Sequence, residues 1–259
     1  MPATTRWTRP QMLVALNLYC QMPFGKMHHR NPDIVKWSEL IGRTPSALAM
    51  KLTNFASLDP AITSTGRKGL ANASAADKTL WSEMQTGWQA FAVEAQDVMS
   101  SFGGDSVAEP DIAPLGVSDE IADYAASDKT GRTKIRVGQN FFRRAVLSAY
   151  DYRCCITGLS VPSLLVASHI VPWRIDENNR LNPRNGVCLS ALHDKSFDAG
   201  IITITQDMKV RVSREHARGE DPFFESALSS YDGQPIMVPE KFRPDTEFLK
   251  YHLENVFQG

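Results

Sequence analysis

The sequence predicts an α+β fold, with an N-terminal bundle of helices followed by a part that mixes short strands and helices. Three observations lead there. Over residues 1–99, apolar side chains recur at three- and four-residue spacing behind proline-containing helix starts. Over 100–128 the chain turns to Gly, Pro, Ser and acidic residues with few large apolar groups, the composition of a linker. From Lys129 onward one helix gives way to short alternating runs separated by turns.

Thr8-Arg9-Pro10 starts the first helix, since Thr8 offers a capping hydroxyl and Pro10 suits the first turn. Met12, Leu13, Leu16 and Tyr19 form its apolar stripe, and Pro23-Phe24-Gly25 ends it. Asn31-Pro32-Asp33 opens a second helix with Ile34, Trp37, Leu40 and Ile41 inward, closed by Gly42. Thr44-Pro45-Ser46 caps a third, carrying Leu48, Ala49, Leu52 and Phe55. Helix, glycine turn, capped helix is a helix-turn-helix pattern, and the stretch from Trp37 to Leu52 is similar to that segment of many bacterial DNA-binding proteins. That reading puts Arg43, Ser46, Met50 and Lys51 on or near the exposed face, where Arg43, Ser46 and Lys51 are candidate nucleic-acid contacts. The alternative is a helical bundle that packs on the rest of the chain and touches no DNA. Residues 56–75 are turn-rich; Ser74 and Asp77 then form a capping box for one helix with Leu80, Trp81, Met84, Trp88 and Phe91 in its stripe.

In the second half, Phe141, Phe142, Val146 and Leu147 form the apolar face of a helix, with Arg143 and Arg144 turned outward as phosphate contacts. A turn-rich stretch through Cys154 and Cys155 follows. Leu164 to Ile170 is a strand, Asn182 to Gly186 a turn, Val187 to Leu189 a short strand, and Ser190 caps a helix carrying His193. Ile201–Thr205 and Lys209–Ser213 read as a hairpin, Pro235–Val238 as a further strand, and 244–257 as a final helix.

With 259 residues, 42% of them hydrophobic and 22% charged, the chain can bury a core and can hold one large domain or two ordinary ones. The expected division is a helical domain over 1–99, an acidic linker over 100–128, and a second domain over 129–259 with its core at 150–200. The net charge of −1 decides nothing, but its distribution does. Arg6, Arg9, Lys26, Arg30, Lys36, Arg43 and Lys51 face only Asp33 and Glu39 at the start, and a second basic run spans Lys129 to Arg153. No Lys or Arg occurs from Thr79 to Asp128. Two basic regions around an acidic one fit two DNA-facing modules. The four cysteines form no CxxC pair, so buried reduced thiols are expected over a zinc knuckle. The chain has no signal pattern and no run of about 18 apolar residues, so it is read as a cytoplasmic protein without a membrane partner.

The chemistry gathers between Ala167 and Gly200. The words are Arg-Cys-Cys-Ile-Thr-Gly (153–158), Ala-Ser-His-Ile-Val-Pro-Trp (167–173), Asn-Pro-Arg-Asn-Gly (182–186) and His-Asp-Lys-Ser-Phe-Asp-Ala-Gly (193–200). In this order they resemble an HNH nuclease domain of the kind found in restriction enzymes and related defence proteins. The resemblance implies a ββα-metal fold, a metal-dependent DNA endonuclease, and a restriction or antiphage role. It makes His169 the general base and His193 a metal ligand, with Asn185 orienting His169 or ligating the metal. Mg²⁺ or Mn²⁺ is the first choice of ion, and Zn²⁺ or Ni²⁺ is compatible. Many relatives place a metal-binding Asp directly before the first His. Here Ser168 stands there, so the ligand set is open, with Ser168, Asp194 or Asp198 as contributors. Arg184 and Lys195 are candidate phosphate contacts, and Asn182 is the other candidate amide. Double-stranded DNA is the expected partner, and a homodimer is expected if both strands are cut. Two other readings stand beside this one: a DNA-binding regulator with an inactive HNH fold, and an effector nuclease activated by a partner or signal molecule.

Overall fold

The computed structural model describes residues 6–64, 73–103, 129–215 and 221–259, the side chains of 129–134 aside. The expected linker therefore lies almost wholly outside the described residues. The N-terminal helices are α1 (Arg9–Gln21), α2 (Pro32–Leu40), α3 (Pro45–Ala56), the short α4 (Pro60–Thr63), α5 (Ala75–Thr86) and α6 (Trp88–Ser101). Each of the first five begins at a side-chain cap: Thr8, Asn31, Thr44, Asp59 and Ser74 accept hydrogen bonds from first-turn amides. The single helix expected from Ser74 onward is two, because the chain leaves the helical region at Gly87 and restarts at Trp88. Its apolar stripe continues across the break.

Helix α1 is the hub. Every residue from Met12 to Gln21 is buried, and α3, α5, α6 and the long helix α7 (Lys129–Ala149) pack around it. A helix covered on all sides needs no polar face, and α1 has no charge after Arg9. The hydrophobic core is continuous from these helices into the second half of the chain. Lys241, fully buried, joins the two by donating to the carbonyls of Tyr19, Cys20 and Met22 at 2.6, 2.7 and 2.8 Å. Ser148 Oγ adds a 3.1 Å bond to the Cys20 carbonyl.

The second half is built on a two-stranded antiparallel ribbon, β1 (Leu165–His169) and β2 (Gly186–Ser190), in register Ser168↔Val187 and His169↔Gly186. Helix α8 (Ala191–Asp198) follows β2 directly, capped by Ser190, and packs on the ribbon. A second ribbon pairs β3 (Ile202–Ile204) with β4 (Val210–Val212). The strand expected at Pro235–Val238 is reduced to one bridge, Lys209↔Pro235. Two helices close the chain, α9 (Pro222–Ala227) and α10 (Thr246–Asn255); the first was not legible as a helix. All four cysteines are free and buried. No described helix is long and apolar enough to cross a membrane.

Gly186 is required by packing. A Cβ there would lie 2.5 Å from Val146 Cγ2 and 2.7 Å from Phe142 Cζ, both on α7. Its backbone is extended, so the Asn-Gly word marks a close helix–ribbon approach as much as a turn. Gly186→Ala should destabilise the protein by about 1–3 kcal/mol, as overpacked cores do, read from urea unfolding; an unchanged midpoint would show that α7 yields without strain.

His252 on α10 is buried, with Nδ1 2.8 Å from Thr203 Oγ1 and Nε2 3.2 Å from the Phe197 carbonyl. Burial lowers its pKa to about 4, opposed by the Phe197 carbonyl. The unfolded chain takes up this proton near pH 6.5 and the folded chain only near 4. Stability is therefore full above pH 6.5 and falls as the pH drops toward 4, with a slope of up to about 1.4 kcal/mol per pH unit from this group. Urea midpoints across that window should show the fall, and His252→Phe should remove this group's share of it, leaving the share of His169, whose pKa burial lowers likewise.

Candidate active site

His169 ends β1, and its ring is fixed from three directions. Nε2 lies 2.9 Å from the Arg180 carbonyl. A carbonyl only accepts, so Nε2 carries the hydrogen and Nδ1 keeps the lone pair. Phe142 of α7 stacks on the ring at 4.0 Å and 6°, and Trp173 meets it edge-on at 5.5 Å and 85°. Burial lowers the His169 pKa to about 4; the bond to the Arg180 carbonyl raises it and the Arg180 charge lowers it further. The imidazole is thus neutral, with one nitrogen free to accept a proton. Helical periodicity puts Phe142 on an apolar face but does not bring it, or the Arg180 carbonyl, to His169, because neither is near His169 in a recognisable word.

Asn185 is fully buried and holds the segment after His169. Its Oδ1 accepts from Val171 N at 2.8 Å, and its Nδ2 donates to the carbonyls of Val171 and Asn179 at 3.2 and 3.3 Å. Both ends of the amide are engaged with backbone, which makes it a clamp on the loop between the strands. Asn182 caps Arg184 N at 3.0 Å and also bonds Asn179.

On the opposite side of the strand, Ser168 lies toward α8. Its Oγ is buried and approaches the Asp194 carboxylate without a well-formed hydrogen bond. It neighbours Asp194, whose pKa burial raises while the Ser168 hydroxyl and Lys195 lower it. His193 is buried, with Nδ1 2.8 Å from Ser190 Oγ and its ring edge-on to Tyr231 at 5.6 Å. Its Nε2 is buried without completing a hydrogen bond. Burial lowers the His193 pKa, opposed by the nearby Ala227 carbonyl. Buried polar atoms are ordinarily satisfied, and a divalent cation is a group that would satisfy both Ser168 Oγ and His193 Nε2. The residues present fit one on that ground. Among the described residues no three His, Cys, Asp or Glu side chains converge as a ligand cluster.

The expected phosphate contacts divide. Lys195 is exposed. Arg184 pairs with Asp245 at 2.9 Å and stays half-exposed. Arg144 is half-buried and engaged. Arg143 does not turn outward as expected: it donates to the Leu165 carbonyl at 3.1 Å and steadies the start of β1. In the segment expected to form a helix-turn-helix, Ser46 is exposed, but Arg43 bonds Gln11 at 2.9 Å and lies over the Trp7 ring at 4.8 Å. Lys51, expected near the exposed face, is sealed against Asp77 at 2.8 Å, because α5 closes over that side of α3.

A two-stranded ribbon and the helix after it carry two histidines, His169 with one ring nitrogen free and His193 beside Ser168 and Asp194, and so define a ββα unit. Residues 154–205 match the family model described as HNH endonuclease, so this segment is an HNH endonuclease domain. Among solved structures, the chain is similar to one titled "Modification dependent TagI restriction endonuclease", at 22% identity and a TM-score of 0.34. That likeness covers 44% of this chain and 37% of the other, so it spans little more than a third of the other protein. No curated protein matches the chain significantly.

Proposed function

We propose that the protein is a metal-dependent endonuclease that hydrolyses phosphodiester bonds of double-stranded DNA in the cytoplasm, with His169 as general base. The observation that carries this reading is the fixed tautomer of His169, whose Nε2 is spent on the Arg180 carbonyl. Nδ1 takes a proton from the attacking water, and Phe142, Trp173 and the Asn185 clamp hold the ring for that transfer. A scissile phosphate beside the ring raises its basicity from the low value of the free protein. Ser168, His193 and Asp194 would hold the divalent cation, Mg²⁺ or Mn²⁺ first. When bound, it supplies charge neutralisation at the phosphate and the leaving oxygen. Lys195, which is exposed, and Arg184, half-exposed beside Asp245, would contact flanking phosphates. One such site cuts one strand, so cutting both calls for a homodimer. A restriction or antiphage role rests on the family resemblance alone.

The test is plasmid cleavage with Mg²⁺, Mn²⁺ and EDTA, using His169→Ala as control. Nicked or linear product that appears with metal and disappears with EDTA supports the proposal. Intact plasmid in every metal, with DNA still bound, would favour an inactive regulator. Cleavage only after a cell extract is added would favour a partner-activated effector.

A further inference from the structure

The basic side chains that the helix-turn-helix reading relies on are spent inside the protein: Arg43 on Gln11 and Trp7, Lys51 on Asp77. A different segment of the N-terminal part is free. The loop between α1 and α2 carries Lys26, His28, His29 and Arg30, all exposed. Five residues hold these four groups, with no acid among them. Among the described residues none of the four has a side-chain hydrogen bond or an ion pair.

The loop is also shaped. Met27 N donates to the Phe24 carbonyl at 3.1 Å, His28 N to Lys26 at 2.9 Å, and Asn31 N to His28 at 2.9 Å. Its base is anchored, since Lys241 grips the carbonyl of Met22 at 2.8 Å. Two residues beyond Lys241, the Arg243 carbonyl accepts from Arg184 Nε at 3.4 Å, and Arg184 adjoins Asn185 of the nuclease site. A short bonded path thus joins the loop to the active-site turn. A shaped surface carrying two cations, Lys26 and Arg30, with no acid between them is complementary to a polyanion, and neutralising phosphates there releases counterions.

We infer that the loop 24–30 is a DNA-backbone docking surface, which holds the duplex through its phosphates and without reading bases. The inference rests on the DNA-endonuclease reading and relocates the N-terminal contact from α3 to this loop. Binding of a labelled DNA duplex to the full-length His169→Ala protein tests it, by fluorescence anisotropy from about 50 to about 200 mM salt. In the Lys26→Ala/Arg30→Ala variant the slope of log affinity against log salt should shrink by about 2, one for each lost phosphate contact. Lys26→Arg/Arg30→Lys should keep the slope, and so should Arg43→Gln/Ser46→Ala. Both replaced loop side chains are exposed, so melting temperatures should be unchanged.

An unchanged slope in the loop variant overturns the inference, as does a slope lost in the Arg43→Gln/Ser46→Ala variant instead. If the parent protein binds no duplex even at low salt, the DNA-endonuclease reading fails as well. Cleavage of a short duplex titrated up to saturation by Lys26→Ala/Arg30→Ala, on an otherwise intact chain, separates the two: kcat should stay as in the intact protein while KM rises.

Discussion

Replacing His169 with alanine should lower plasmid cleavage by a factor of about 10²–10⁴, the range that a positioned general base supplies, while duplex binding persists. Phe142 and Trp173 would then border a gap where the ring had been, and Asn185 would still hold its loop through Val171. On the proposed mechanism the loss should fall on kcat, because there the imidazole acts on water and not on DNA. His169→Gln keeps the size but puts an amide at the end of β1, and it should be equally inactive. Gel quantification of nicked plasmid against enzyme concentration measures both. Retention of more than a tenth of the activity would remove His169 from the mechanism and turn attention to His193.

Asp77→Ala should be the most damaging single change away from the site, at about 3–5 kcal/mol, the range for breaking a buried ion pair from one side. Asp77 has no exposed surface, and Lys51 is almost as deeply buried. The same carboxylate accepts from Ser74 N at 3.0 Å as half of a capping box, so α5 would lose its start as well. The lysine would keep only the Trp7 ring, 4.9 Å away. Lys51→Met/Asp77→Ala should recover part of the loss, because removing both charges leaves no ion stranded. Urea unfolding of the two variants gives the comparison. A single variant within about 1 kcal/mol of the parent would mean that water reaches Lys51 readily.

The pair also shows where sequence reading stops. Ser74 and Asp77 were legible as a cap because capping is local. That Asp77 also receives Lys51 was hidden, because helical periodicity places Lys51 on a face and cannot say which helix will cover it. Arg143 was misplaced for the same reason, since only the approach of β1 turns it inward. The ribbon and α8 were readable from short words at fixed order, and the family match falls on those words. What holds His169 was not readable. Phe142 lies on a helix outside the matched residues, and a backbone carbonyl such as that of Arg180 has no signature in a sequence.

Lys241 has a wider consequence. It spends all three of its N–H groups on the end of α1 and the residue just after it, across separations of 219 to 222 residues. Strip away the first helix and all three acceptors go with it, together with the buried surface that packs on the second half. The catalytic segment is therefore a poor candidate for grafting onto another protein. Residues 1–103 and 104–259 expressed as two separate pieces should instead cling to each other and work by fragment complementation.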